Sequence, residues 1–561
     1  MLTVLGLVAL VGAACGKEEP PKPGHFKVGG TISGLSGSLT LRLNGAESIT
    51  RSENGPFTFE GVLEDQSTFT VTLTAAPEQQ ECLLQGATGK LQGADVSTVE
   101  VNCSQRTYTV GGTAEGLDVP LQLRLNESET LSLSTSGAFT FQTRLLKGAT
   151  YNVTLVAQPQ ARRCTLSNTG GTVAGNVTTL VLQCNAWYTL TDHQSSAWII
   201  GQNAATDSEP NRGGALGQDT LAGPGGNPVL AGGKLYVSDS GANRVLGFNG
   251  LPHQSVTPAE FVLGQPDFTS DAIGIGRAGL SFQAGLSSDG TRLAVADKAN
   301  NRILLYQTLP KATAAPADTV LGQRDFDSTE SRCAKNSLNS PDNVVLSHGM
   351  LLVADTYNNR VLIWKTVPTT SDVEPDLVLG QTQFTLCAAN DKNQDGVMDA
   401  DRVPTASTLW LPMGIWTDGT RLIVIDSSNC RGLIWNQFPT QNGQAADVVL
   451  GQGGFTSNEC TTTQSGLNAP SFVYSTGTQL FVADTSNHRI MVWNAIPSTH
   501  NAPASNVLGQ KDFTSMNEYD PPTGTTPSAR SLYRPGGMLF TGPYVVVTDQ
   551  GNNRLVVYES P

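Results

Sequence analysis

Leu293 to Tyr306 reads L-A-V-A-D-K-A-N-N-R-I-L-L-Y, and Leu351 to Trp364 reads L-L-V-A-D-T-Y-N-N-R-V-L-I-W. Two apolar runs of strand length flank a polar turn, D-x-x-N-N-R, and an aromatic residue closes the second run. The register returns six times, anchored on Asp239, Asp297, Asp355, Asp426, Asp484 and Asp549. Repetition at a period of this size indicates a ring or array of equivalent units.

Outward from these turns, the spacing is rigid in three segments and free in one. Each aspartate lies nine positions before its closing aromatic (Phe248, Tyr306, Trp364, Trp435, Trp493, Tyr558). The first five aromatics each lie seventeen positions before a G-Q glutamine (Gln265, Gln323, Gln381, Gln452, Gln510). Leu280, Leu338, Leu409, Leu467 and Leu532 each precede the next aspartate by the same seventeen positions. Only the Gln-to-Leu segment varies. Gln265–Leu280, Gln323–Leu338 and Gln452–Leu467 are equal in length, whereas Gln381–Leu409 and Gln510–Leu532 are longer. Length variation confined to one connection puts it on one face of the assembly, where repeat proteins usually bind. Four short strands per unit predict an all-β chain ending in a six-bladed β-propeller. Trp198–Gln202 (W-I-I-G-Q) matches the V-L-G-Q strand and is expected to complete the sixth blade, leaving no open edge.

On the motifs Asp297–Arg302, Asp355–Arg360 and Asp549–Arg554, with Asn487-His488-Arg489 in the fifth unit, residues 198–561 resemble an NHL-repeat propeller. The resemblance implies that the first strands line a central channel and that the D-x-x-N-x-R turns share a face with the inter-blade connections. It does not select a function, since the family holds enzymes, RNA binders and adhesion modules. A residue present in every blade most economically serves the fold: Asp accepts backbone amides, Asn tolerates the left-handed conformation and Arg pairs with Asp. The closing aromatics read as packing between blades.

A second repeat precedes the ring. Val28-Gly29-Gly30-Thr31 returns as Val110-Gly111-Gly112-Thr113, Phe57-Thr58-Phe59 as Phe139-Thr140-Phe141, and Cys82 as Cys164, all at one offset. Alternating short strands predict two small antiparallel β-sandwiches, residues 27–105 and 106–186, before a ring at 187–561. Each resembles an Ig-like or prealbumin-like spacer. The apolar run within residues 1–15, ending Gly12-Ala13-Ala14-Cys15, resembles a bacterial lipoprotein signal, followed by a linker at 16–26. It is too short to span a bilayer. Cys15 is then the lipidation site and the only membrane attachment; Gly16 after it favours the outer membrane, and without lipidation the chain is secreted.

Eight further cysteines suit an oxidising compartment. Cys82 and Cys103 fall in one sandwich and Cys164 and Cys184 in the other, so each closes its own bridge. Cys333, Cys387, Cys430 and Cys460 allow three pairings. The family geometry places all four on one face and favours Cys333–Cys387 with Cys430–Cys460. No C-x-x-C spacing supports zinc.

The net charge of −14 repels phosphate, which argues against a nucleic-acid partner. No P-loop, G-x-S-x-G or H-E-x-x-H motif occurs. In the longest variable segment, Asp391, Asn393 and Asp395, then Gly396, match the opening of an EF-hand-type loop. Asp399 and Asp401 follow, so a structural calcium ion is expected there, although position 12 is Arg402. The lyases and lactonases of six-bladed architecture need a metal at the channel mouth. The six histidines share no register, with only His488 in a face turn, so catalysis is disfavoured. The expected function is an envelope-anchored binding or adhesion head whose variable-loop face takes a protein or glycan; the alternative is a metal-dependent lyase or lactonase.

Overall fold

The computed structural model describes residues 24–159, 161–519 and 524–560. The signal segment, Cys15 and most of the linker lie outside them. The described chain is all-β, with strands joined by turns and short 3-10 segments. It divides into two compact units, one holding residues up to Ala157 with Thr165–Gln183, the other holding Gln158–Cys164 and Cys184 onward.

In the first sandwich repeat, two four-stranded sheets enclose one core. One sheet runs Gly55–Glu64, His25–Ser33, Val96–Gln105, Gln80–Gln85; the other runs Glu47–Arg51, Leu39–Leu43, Thr68–Ala75, Thr88–Lys90. Val28, Leu41, Phe59, Phe69 and Val101 meet between them. The Gly29-Gly30 pair is explained by both neighbours crowding the central strand. A Cβ on Gly29 would lie 2.3 Å from the Phe57 carbonyl oxygen, and one on Gly30 would lie 1.7 Å from that of Val99. Gly111 and Gly112 repeat this at 2.2 and 1.9 Å. One expectation needs correcting: the sandwiches are not wholly antiparallel. His25–Ser33 pairs parallel with Val96–Gln105, and Val110–Glu115 pairs parallel with Val177–Ala186. Side chains alternate with period two in either kind of ladder, so the pattern could not report strand direction.

The second unit carries six separate four-stranded sheets arranged as in a β-propeller; no sheet closes on itself. Sheet three is typical, with Asn343–Ser347, Met350–Asp355, Arg360–Trp364 and Leu377–Leu379 paired in sequence order. The first strand of each sheet packs on the first strand of the next, and that of sheet six on that of sheet one. Sheet six takes its outer strand from far upstream: Trp198–Ile200 pairs with Arg554–Glu559. The apolar cores lie between sheets. Ile303 and Leu305 of sheet two pack with Val344, Val353 and Trp364 of sheet three. Ile200, Val546 and Val557 of sheet six pack with Leu235 and Phe248 of sheet one.

Candidate functional site

Each D-x-x-N-N-R turn is a closed set of hydrogen bonds. In sheet three, Asp355 Oδ1 accepts the Asn339 amide at 2.7 Å, and Oδ2 accepts Arg360 Nε at 2.7 Å and Asn358 Nδ2 at 2.8 Å. Arg360 Nη2 donates to the carbonyls of Ala334 and Ser337, both at 2.8 Å, and Nη1 donates to that of Phe384. The same Asp–Arg pair recurs in the other five sheets at 2.7–2.8 Å, fully buried each time. Burial pushes the Asp355 carboxyl upward while Arg360 and the amide donors pull it back. With the charges paired and the donors placed, nothing remains to meet a substrate. These six aspartates build the turn.

The next residue joins one sheet to the following one. Asn359, at φ 51°, accepts the Leu411 amide at 2.9 Å and donates to the Cys387 carbonyl at 2.9 Å. Asn243, Asn301 and Asn553 do the same with Phe282, Ser340 and Gly223. Sheet four has Cys430 here, also left-handed; its Sγ accepts the Ala469 amide at 3.4 Å, and a disulfide to Cys460 takes the place of the donated bond to the loop. In sheet five His488 Nδ1 accepts the Arg534 amide at 3.1 Å, and burial holds its pKa below the ordinary value. The one histidine in a face turn is thus a clasp between sheets. Cys333–Cys387 bridges two successive variable loops, and Cys82–Cys103 and Cys164–Cys184 are bonded within the sandwich repeats.

The G-Q glutamines, evident in the sequence only as spacing markers, have a structural role. Gln265 Nε2 donates to the carbonyls of Asn243 and Ala272, pinning the turn to the start of its own variable loop. Gln323, Gln381, Gln452 and Gln510 repeat this. Gln202 does it across the join, on Asn553 and Glu209. Recurrence at a fixed spacing was the available signal.

The variable loops and the turns lie together on one face. Ile273 (74% exposed), Ile275, Phe282, Tyr357, Val397 (65%) and Met516 stand out from it. In the acidic loop, Asp391 is buried, and its carboxylate accepts the amides of Asp395 at 3.2 Å and Gly396 at 2.8 Å. Asn393 and Asp395 are linked to each other at 3.0 Å, Asp399 accepts the Lys392 amide, and Lys392 Nζ sits 2.6 Å from Asp401. Among the described residues, no three His, Cys, Asp or Glu side chains gather to hold a metal ion. The loop brings these five residues near one another without turning their oxygens to a common point.

At the hub, the same face opens into a cavity of ≈ 350 Å³. First-strand and turn residues line it, including Ser240, Lys298, Asp342, Phe472, Ser486 and Gln550. Lys298 is paired with Asp342.

No protein-family model matches the chain, and no curated protein matches its sequence. Solved structures similar to it include a virginiamycin B lyase from Staphylococcus aureus, at 13% identity, covering 61% of this chain and 97% of that one, TM-score 0.31. Another is the PQQ-bound aldose sugar dehydrogenase from Streptomyces coelicolor, at 13% identity, 63% and 97% coverage, TM-score 0.33. A nidogen/laminin complex is similar at 15% identity, 51% and 82% coverage, TM-score 0.26. Matches this distant carry no functional argument, and the fold is read from the sheets themselves.

Proposed function

We propose that the chain is an envelope-anchored, non-catalytic binding or adhesion protein. A closed six-bladed NHL-type ring forms its head, two Ig-like or prealbumin-like sandwiches its stalk, and Cys15 its lipid attachment. The ligand, a protein or glycan, engages the variable-loop face. The observation that carries this reading is the gathering of loop-length variation and exposed apolar side chains on one face, while the repeated polar residues are used up in holding the sheets together. Deleting residues 391–401 and replacing the loop 510–532 with a copy of 265–280 should sharply reduce retention on envelope fractions. Undiminished retention by the folded variant would remove the face from consideration.

A second reading, a metal-dependent lyase or lactonase, is favoured by the hub cavity. The side chains present do not fit its metal, since none of the described acids, histidines or cysteines converge in threes. Elemental analysis separates the two readings: one tightly held metal per chain would favour the enzyme. Calcium in the 391–401 loop rests on the spacing of Asp391, Asn393, Asp395, Asp399 and Asp401, and would act by stiffening the loop.

A further inference from the structure

Six-fold repetition gives each hub residue five internal references, and the departures from the repeat are not scattered. Five positions beyond the leucine that starts each framework segment, four sheets carry glycine: Gly226, Gly285, Gly414 and Gly537. The reason is steric. A Cβ on Gly285 would lie 3.0 Å from the Asn343 Cα, one on Gly414 2.8 Å from that of Phe472, and one on Gly537 2.2 Å from that of Asn227. The first strands are packed so closely there that a side chain fits only between glycines. Sheets three and five break the rule with Asn343 and Phe472, and both line the cavity.

Asn343 is only 4% exposed, and its side-chain amide, bonded to no described protein group, opens onto the cavity. Gln283 shows the same thing from another position. It stands where the other five sheets carry proline, lines the cavity, and its Nε2 donates to the Arg244 carbonyl. Its Oε1 is buried without a partner. Buried amides left unpaired cost about 1–3 kcal/mol each, and native folds seldom leave them so unless something else completes them. Among the described residues, Gln283 is the one residue of the cavity lining with such an orphaned atom, and Asn343 opens onto the same space; both stand at departures from the repeat.

The remaining lining defines the ligand's chemistry. Phe472 and Phe282 offer apolar surface, and Ser240, Ser486 and Gln550 offer neutral polar groups. Lys298 is neutralised by Asp342, which leaves Arg534 as the one lining cation without an ion pair among the described residues. A doubly charged phosphate would exceed what one guanidinium balances in a chain of net charge −14. A single carboxylate matches the guanidinium fork. The volume sits at the lower end of the roughly 300–1,000 Å³ usual for small-ligand sites.

We propose that this cavity binds a small acidic saccharide of the uronate class: hydroxyls on Asn343 and Gln283, ring face on Phe472, carboxylate on Arg534. The proposal rests on the reading of this face as the binding face, and names its ligand. The test is calorimetric titration of the full chain with sodium galacturonate, with glucose as the neutral control. Galacturonate should bind saturably, and glucose about tenfold more weakly, the equivalent of about 1.4 kcal/mol. Arg534→Gln should bring galacturonate down to the level of glucose. Asn343→Gly, which installs the residue four other sheets already carry, should weaken galacturonate about tenfold without loss of the ring's thermal transition. Full-strength binding by Asn343→Gly, or no galacturonate binding by folded wild-type protein, overturns the proposal. If galacturonate fails while envelope retention still depends on the loops, the cavity assignment alone falls. If retention fails and galacturonate binds, the cavity stands and the broader adhesive reading falls.

Discussion

In the first sandwich repeat, the core formed by Val28, Phe59, Phe69 and Val101 belongs to that repeat alone, and Cys82–Cys103 ties two neighbouring strands of one sheet. In the ring the same tasks are done between repeats. The cores fill the gaps separating one sheet from the next, the asparagine clasps reach to the next sheet, and Cys333–Cys387 links successive loops. A sandwich repeat can thus lose a neighbour and keep its interior, whereas a blade has no interior of its own. Sequence duplication alone does not say which kind of assembly results; the location of the cross-links does.

The largest expected effect comes from breaking a buried turn. Asp355→Ala leaves the Arg360 guanidinium buried without its counter-charge, which typically costs about 3–5 kcal/mol. Calorimetry of the full chain should show the ring's transition falling with the sandwich transition in place. Equal movement of both would contradict the contrast drawn above. A smaller effect isolates the clasp. Cys430→Asn with Cys460→Ser should be about 1 kcal/mol more stable in urea than Cys430→Ala with Cys460→Ser, because only asparagine can accept the Ala469 amide and donate to the loop. Identical urea midpoints would show that the position works through the disulfide alone. The smallest effect is at the surface. The hydroxyls of Ser515 and Thr514 hold the Asp512 carboxyl down to about 2, against an ordinary 3.8. A folded value below the unfolded one stabilises above the ordinary value and is lost as pH falls toward the folded one. Asp512→Asn should therefore flatten the acid limb of the ring's stability between about pH 4 and pH 2, read from urea midpoints across that range.

The ring was readable because its information is periodic. Two fixed intervals, nine and seventeen positions long, located the turns and the loops, and the match of Trp198–Gln202 to V-L-G-Q located the distant strand, without reference to any neighbour in space. The sandwich cysteines fell one pair to each repeat, while the sequence alone left three pairings for Cys333, Cys387, Cys430 and Cys460, and the resemblance to a propeller family favoured the pairing found. What escaped was information that lives only in three dimensions. The parallel pairing inside each sandwich leaves no trace in alternation. The hub was hidden in a subtler way. Asn343 and Phe472 look like ordinary variation until Gly285 and Gly414, each on the preceding sheet, are seen to crowd their Cα atoms.

The join at sheet six also has a temporal side. Gln202 and its partner Asn553 are 351 residues apart, and at about 5–20 residues per second the ribosome needs roughly 20–70 s to cover that distance. Ile199 and Ile200 are therefore among the first ring residues synthesised and the last to be covered. Until then five sheets can stack only as an open arc, with an unpaired edge at the Arg554 end still to be made. The open arc presents unpaired strand edge until Trp198–Ile200 meets Arg554–Glu559, so the sealing step comes after every blade has been made.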